Sequence, residues 1–137
     1  MDKILLFAVI AQLILTFFLM FLMGSLRINS VRKKEVKISE IALNTDAYPK
    51  KVRQVANAFN NQFQMPILFF FGVALALFYG SIGWLEIIFA YGFITLRYIH
   101  VFIHITNNNP VQRLNAYFVG VLFLMAFLFT VFYKAIF

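Results

Sequence analysis

The 137-residue chain contains no cysteine, which excludes a protein thiol nucleophile, a disulfide framework and any cysteine metal site. Acidic residues are almost as scarce: five Asp and Glu stand against twelve Lys and Arg. Charged residues make up only 12% of the chain, where soluble domains carry about 25%. Three prolines and six glycines are too few for a collagen-like chain, and the low charge is not that of a disordered one. What fills the space is apolar: 63% of all residues, nineteen of them phenylalanine, with a mean hydropathy of +0.86. A soluble domain of this length buries roughly two-thirds of the surface of its unfolded chain and could not conceal that much apolar side chain. The composition predicts an integral membrane protein.

Crossing about 30 Å of hydrocarbon takes about 20 helical residues. Ile4 to Met23 meets that length without a charge, interrupted only by Gln12 and Thr16. It exceeds the apolar core of a signal peptide (about 7–15 residues), and no small-residue cleavage pattern follows, so it is expected to be a retained span. Further apolar stretches predict spans over about 54–80, 84–105 and 113–134, after a first span over about 4–24. Turns are expected near Ser81 and at Asn107–Pro110. Only helices or closed barrels satisfy backbone groups in lipid, and the alternation of barrel strands is absent. The expected architecture is an all-α, four-helix membrane bundle forming one domain over 1–137.

The connection over about 25–52 and the start of the second span hold eight of the twelve basic residues, from Arg27 to Arg53. The positive-inside rule assigns this loop to the cytoplasm and both termini to the outside. Attraction to anionic headgroups accounts for the same residues. A nucleic-acid partner would need a folded basic surface with base-reading groups, and none is expected here.

Ionisable or amide side chains at membrane depth are expensive and are functional candidates by default. Arg53, Asn57, Asn61 and Gln64 follow one another at steps of four, four and three, which on a regular helix gives one polar stripe. Arg97, His100 and His104 share a face of the third span, and Arg113 opens the fourth beside Asn115 and Tyr117. The three sets are expected to converge on one cytoplasm-facing zone, where guanidinium groups without a nearby acid suit an anionic ligand. Two bland readings stand beside this one. The amides can serve as interhelical glue, and either histidine can be a packed, hydrogen-bonded core residue. A metal on the histidine pair would lack a carboxylate to complete its site, so no metal is expected.

Three segments resemble the family of membrane-associated proteins in eicosanoid and glutathione metabolism (MAPEG), in the manner of its bacterial members. They are Ala56–Phe69, with Asn57, Asn61, Gln64 and Pro66; Arg97-Tyr98-Ile99-His100 with His104; and Asn109–Gly120, similar to the opening of the fourth helix in microsomal glutathione transferases. The resemblance implies a homotrimer that holds glutathione as co-substrate near the cytoplasmic side, and for such a member the bacterial inner membrane. It implies binding roles for Asn61 and Arg97 and, at positions that depart from the family's usual residues, for Asn57, Gln64, His100 and His104, with a thiolate-stabilising role for Arg113; Arg53 is a binding candidate from the polar stripe. The partner would be a lipophilic electrophile arriving through the bilayer, for transfer or peroxide reduction. Gln64 departs from the acid usual in the family, Asn57 from an arginine of several eukaryotic members, and the two histidines from frequent tyrosines. An alternative is therefore a non-catalytic member that binds a lipid or other ligand. A small multidrug transporter, also four-helical, would need an intramembrane carboxylate; the only acid near a span interior is Glu86, by the outer turn.

Overall fold

The computed structural model describes residues 1–42, 44–80 and 82–137. Among these residues six α-helices follow in order: α1 (Asp2–Arg32), α2 (Ile38–Ile41), α3 (Lys50–Asn60), α4 (Met65–Tyr79), α5 (Trp84–Ile105) and α6 (Pro110–Ile136). A single 3₁₀ turn, Asn61–Phe63, separates α3 from α4. Among the described residues there is no strand. Four segments are long and apolar enough to cross a membrane, with α3, the 3₁₀ turn and α4 counting as one.

Two buried clusters fix the alternating direction of these segments. Leu5 and Ala8 of α1 meet Val73 and Ala76 of α4, Ala90 of α5 and Val131 of α6 at the end away from the long loop. Nearer the loop, Leu15 and Leu19 of α1 meet Val55 and Ala58 of α3 and Val101 of α5. Lipid is as apolar as leucine, so contact itself, not escape from solvent, must hold such helices together. Small residues permit that contact. A Cβ on Gly92 of α5 would strike the Phe123 ring of α6, and one on Gly72 of α4 would come within 2.6 Å of Leu128.

Two departures from the sequence expectation have local causes. Helix α1 continues to Arg32, past Gly24, whose Cα has open space around it and no competing cap. The second span is not one helix. Pro66 has no N–H to donate and its ring would crowd the carbonyl four residues back, so the helix stops, turns 3₁₀ and restarts with Pro66 in its first turn. At the far end, Gly80 closes α4 in the left-handed region at φ 63°, its N–H donating to the Ala76 carbonyl. Ser81, at the centre of the first expected turn, lies outside the described residues.

Candidate functional site

The break in the second span and the turn before α6 build the same site from opposite sides. In the turn, Asn108 takes the left-handed conformation at φ 51°, one that asparagine tolerates. Asn109 then caps α6, its side-chain oxygen accepting from the N–H groups of Val111 and Gln112 at 3.0 and 3.1 Å. Pro110 occupies the first helical position, where its missing N–H is harmless. This geometry brings Asn108 against Arg113, whose Nη1 donates to the Asn108 side-chain oxygen at 2.8 Å.

Opposite the turn, the Asn61 carbonyl is left without its helical partner and accepts from Nη2 of Arg97 at 3.0 Å. Between these two points lies an open cavity of about 360 Å³, lined by Asn61, Gln64, His100, Pro110, Arg113, Leu114 and Tyr117. That size falls within the range of about 300–1,000 Å³ usual for small-molecule sites. Polar groups arrive from the 3₁₀ break, α5 and α6, while Leu114 and the Tyr117 ring supply apolar wall. His100 is buried, its ring 5.8 Å from Tyr117 and 5.7 Å from His104.

Each sequence-predicted residue has a definite place. Asn61, Gln64, His100 and Arg113 share the cavity. Arg97, only 3% exposed, lies behind it in a closed seam that His100 and Tyr117 also line. The two arginines therefore flank one shared wall, and Arg97 reaches the cavity through the carbonyl that it holds. His104 is buried behind His100, and its own carbonyl accepts from Nε2 of Gln54 at 2.5 Å. Arg53 and Asn57 stand apart. Both line a pocket of about 190 Å³ with Arg27 and Tyr48, and another of about 410 Å³ with Lys50, Gln54 and Asn108. Arg53 also pairs with Asp46 at 3.3 Å. The four residues thus face two neighbouring sites, because Arg53 and Asn57 sit two turns and one turn nearer the loop on α3 than Asn61, which caps its end.

Three buried nitrogens on α5 have no hydrogen-bond partner among the described residues: Nε of Arg97, Nδ1 of His100 and Nδ1 of His104. Buried polar atoms are nearly always paired. Oε1 of Gln12, Nε of Arg27 and Oε1 of Glu86 are unpaired among the described residues as well, and the three α5 nitrogens differ in lying on neighbouring turns beside the cavity. Sequence reasoning overlooked several neighbours. Gln62, 2% exposed, faces α1 and bonds to Gln12; Asn108 and Gln54 tie the site's edges together. An amide at position 12 in an otherwise apolar run was the available signal for the first of these.

The MAPEG family profile matches residues 5–133 of the chain. This protein belongs to the MAPEG family. No curated protein and no solved structure matches it. Membership of the MAPEG family makes the four apolar segments those of a membrane protein, and the match spans every element that contributes to the cavity.

Proposed function

We propose that this MAPEG protein is a membrane-embedded, glutathione-dependent transferase or peroxidase acting on lipophilic electrophiles. The observation that carries the reading is the gathering of Asn61, Gln64, His100 and Arg113 around one open cavity, with a second arginine buried behind it. A thiol of pKa about 8.5 is mostly protonated at neutral pH, and its thiolate is the nucleophile. A guanidinium beside the sulfur stabilises the anion, and Arg113 has that role here because arginine keeps its charge in any surroundings. Asn108 holds the Arg113 guanidinium in place, while Asn61 and Gln64 offer hydrogen bonds to peptide and amino groups. Arg97 positions Asn61 and supplies positive charge for a carboxylate. In conjugation the sulfur bonds to the electrophilic carbon; a displaced group leaves with the electron pair, whereas an epoxide oxygen takes the pair, stays on the adjacent carbon and gains a proton from water.

The reading includes a homotrimer in a bacterial inner membrane, with the basic loop in the cytoplasm. Chemical cross-linking in native membranes should give a three-chain limit, and protease should cleave the loop only from the cytoplasmic side.

Calorimetric titration of the detergent-solubilised protein with glutathione should give saturable heat. Arg113→Ala should lower kcat for a lipophilic electrophile about a hundredfold, the scale seen when an anion-stabilising donor is lost, with a smaller change in affinity. Full activity in that variant removes the mechanism. One observation favours a second reading: among the described residues no carboxylate lines the cavity, so a ligand ammonium would meet neutral acceptors such as Gln64 and Asn61. If Gln64→Glu creates glutathione binding that the unsubstituted protein lacks, the protein is a non-catalytic member with a different ligand.

A further inference from the structure

Gln12 is the most costly residue in α1. It lies ten residues into an apolar helix, is 0% exposed, and an amide placed there must find a partner inside the protein. Its Nε2 donates to Oε1 of Gln62 at 2.9 Å, and Nε2 of Gln62 donates to the Ala58 carbonyl at 3.0 Å. Gln62 is the middle residue of the 3₁₀ turn. Arg97 holds the same turn from α5 by occupying the Asn61 carbonyl, the acceptor that a continuous helix would give to the N–H of Met65.

The turn's period explains why this matters. With three residues per turn, positions 61 and 64 fall toward one line and position 62 sits about 120° away. In an α-helix the same two positions would diverge by about 60°. Asn61 and Gln64 do both face the cavity, and Gln62 faces α1. Pro66 makes a break in this region obligatory but leaves its geometry open. We propose that Gln12 and Gln62 form an amide clasp that fixes the 3₁₀ register and so aims Asn61 and Gln64 into the cavity. Gln12 is then a positioning residue acting from a helix that contributes nothing to the cavity wall. Its effect on ligand affinity rests on the glutathione reading; its effect on the turn does not.

The test uses the full chain in lipid nanodiscs, with Gln12→Leu, Gln62→Leu and the double variant. Each single change strands one buried amide, whereas the double change replaces both partners with apolar groups and spares the fold. Amide hydrogen exchange at residues 61–65 should quicken about tenfold in all three, the amount expected from losing one buried bond, with α6 unchanged. Glutathione affinity should fall by a similar factor while kcat at saturation stays within about twofold, a loss of binding without loss of chemistry. Wild-type exchange at 61–65 in the double variant overturns the clasp, as does a uniform rise across all helices. Raised exchange with unchanged glutathione affinity overturns the positioning role. Raised exchange in a protein whose unsubstituted form gives no glutathione heat upholds the clasp and removes the thiol reading instead.

Discussion

The two ends of the bundle both hold fully buried side chains, yet they are filled with opposite chemistry. Away from the loop, the rings of Phe69, Phe93 and Phe127 meet at 5.3 and 5.7 Å, each no more than 1% exposed. Glu86, the buried acid there, accepts from the Gly83 N–H at 2.7 Å and from Lys134 at 2.8 Å, joining the start of α5 to the end of α6. Toward the loop, Arg97, His100, His104 and Gln62 fill positions that are just as buried, and three of them keep nitrogen atoms unused. Unpaired atoms occur at both ends, since Oε1 of Glu86 is also buried without a hydrogen-bond partner among the described residues. Toward the loop, three such atoms gather on neighbouring turns of α5 beside a cavity.

That contrast can be broken most forcefully at Phe69. Phe69→Ala should cost about 2–4 kcal/mol, below the top of the usual range because lipid replaces much of the lost solvation, and should leave glutathione affinity unchanged in protein that remains folded. Denaturant titration in mixed micelles measures the first quantity and calorimetry the second. Glu86→Gln should follow with about 1–2 kcal/mol, since the charge-assisted bonds to Lys134 and Gly83 become ordinary ones or are lost; again the same titration applies. At the opposite end the signs reverse. Asn108→Gly should leave stability within about 0.5 kcal/mol, because glycine keeps the left-handed turn and Asn109 keeps its cap, but should lower kcat/KM roughly two- to fivefold by loosening Arg113. The smallest effect is expected at Lys37, whose contact with Glu40 at 3.8 Å joins two exposed side chains. Lys37→Ala should change neither stability nor turnover measurably. A large loss of turnover from Phe69→Ala at full folding would erase the distinction between the ends.

Much of this organisation could be read from residue order, and the exceptions have physical reasons. Apolar runs long enough for hydrocarbon and poor in charge identify all four membrane segments, because length and charge are what the bilayer selects. Asn61, Gln64, His100 and Arg113 could be chosen on polarity at depth, and they do share a cavity. Arg53 and Asn57 share the helical phase of Asn61 but lie nearer the loop, and periodicity alone does not say where along the axis a cavity opens. Pro66 marks an interruption but not its shape, and the turn is contacted by Gln12 and Arg97 from other helices. Gln62 escaped notice for the same reason: on a regular helix it points away from the stripe, and only its distant partner shows what it does. Tertiary contacts between residues fifty positions apart leave no mark in local periodicity.

The length of α1 has a consequence beyond the bundle. Thirty-one helical residues rise about 46 Å, well over the roughly 30 Å of hydrocarbon, so the helix stands out of the apolar slab like a mast. Its projecting stretch carries Arg27, which lies 5.4 Å from the Tyr48 ring of the returning loop. The height of that crossing above the lipid is thus set by a rigid rod. Thickening the bilayer would draw the arginine toward the acyl chains, and the helix would answer by changing its tilt, carrying the loop and its pocket with it.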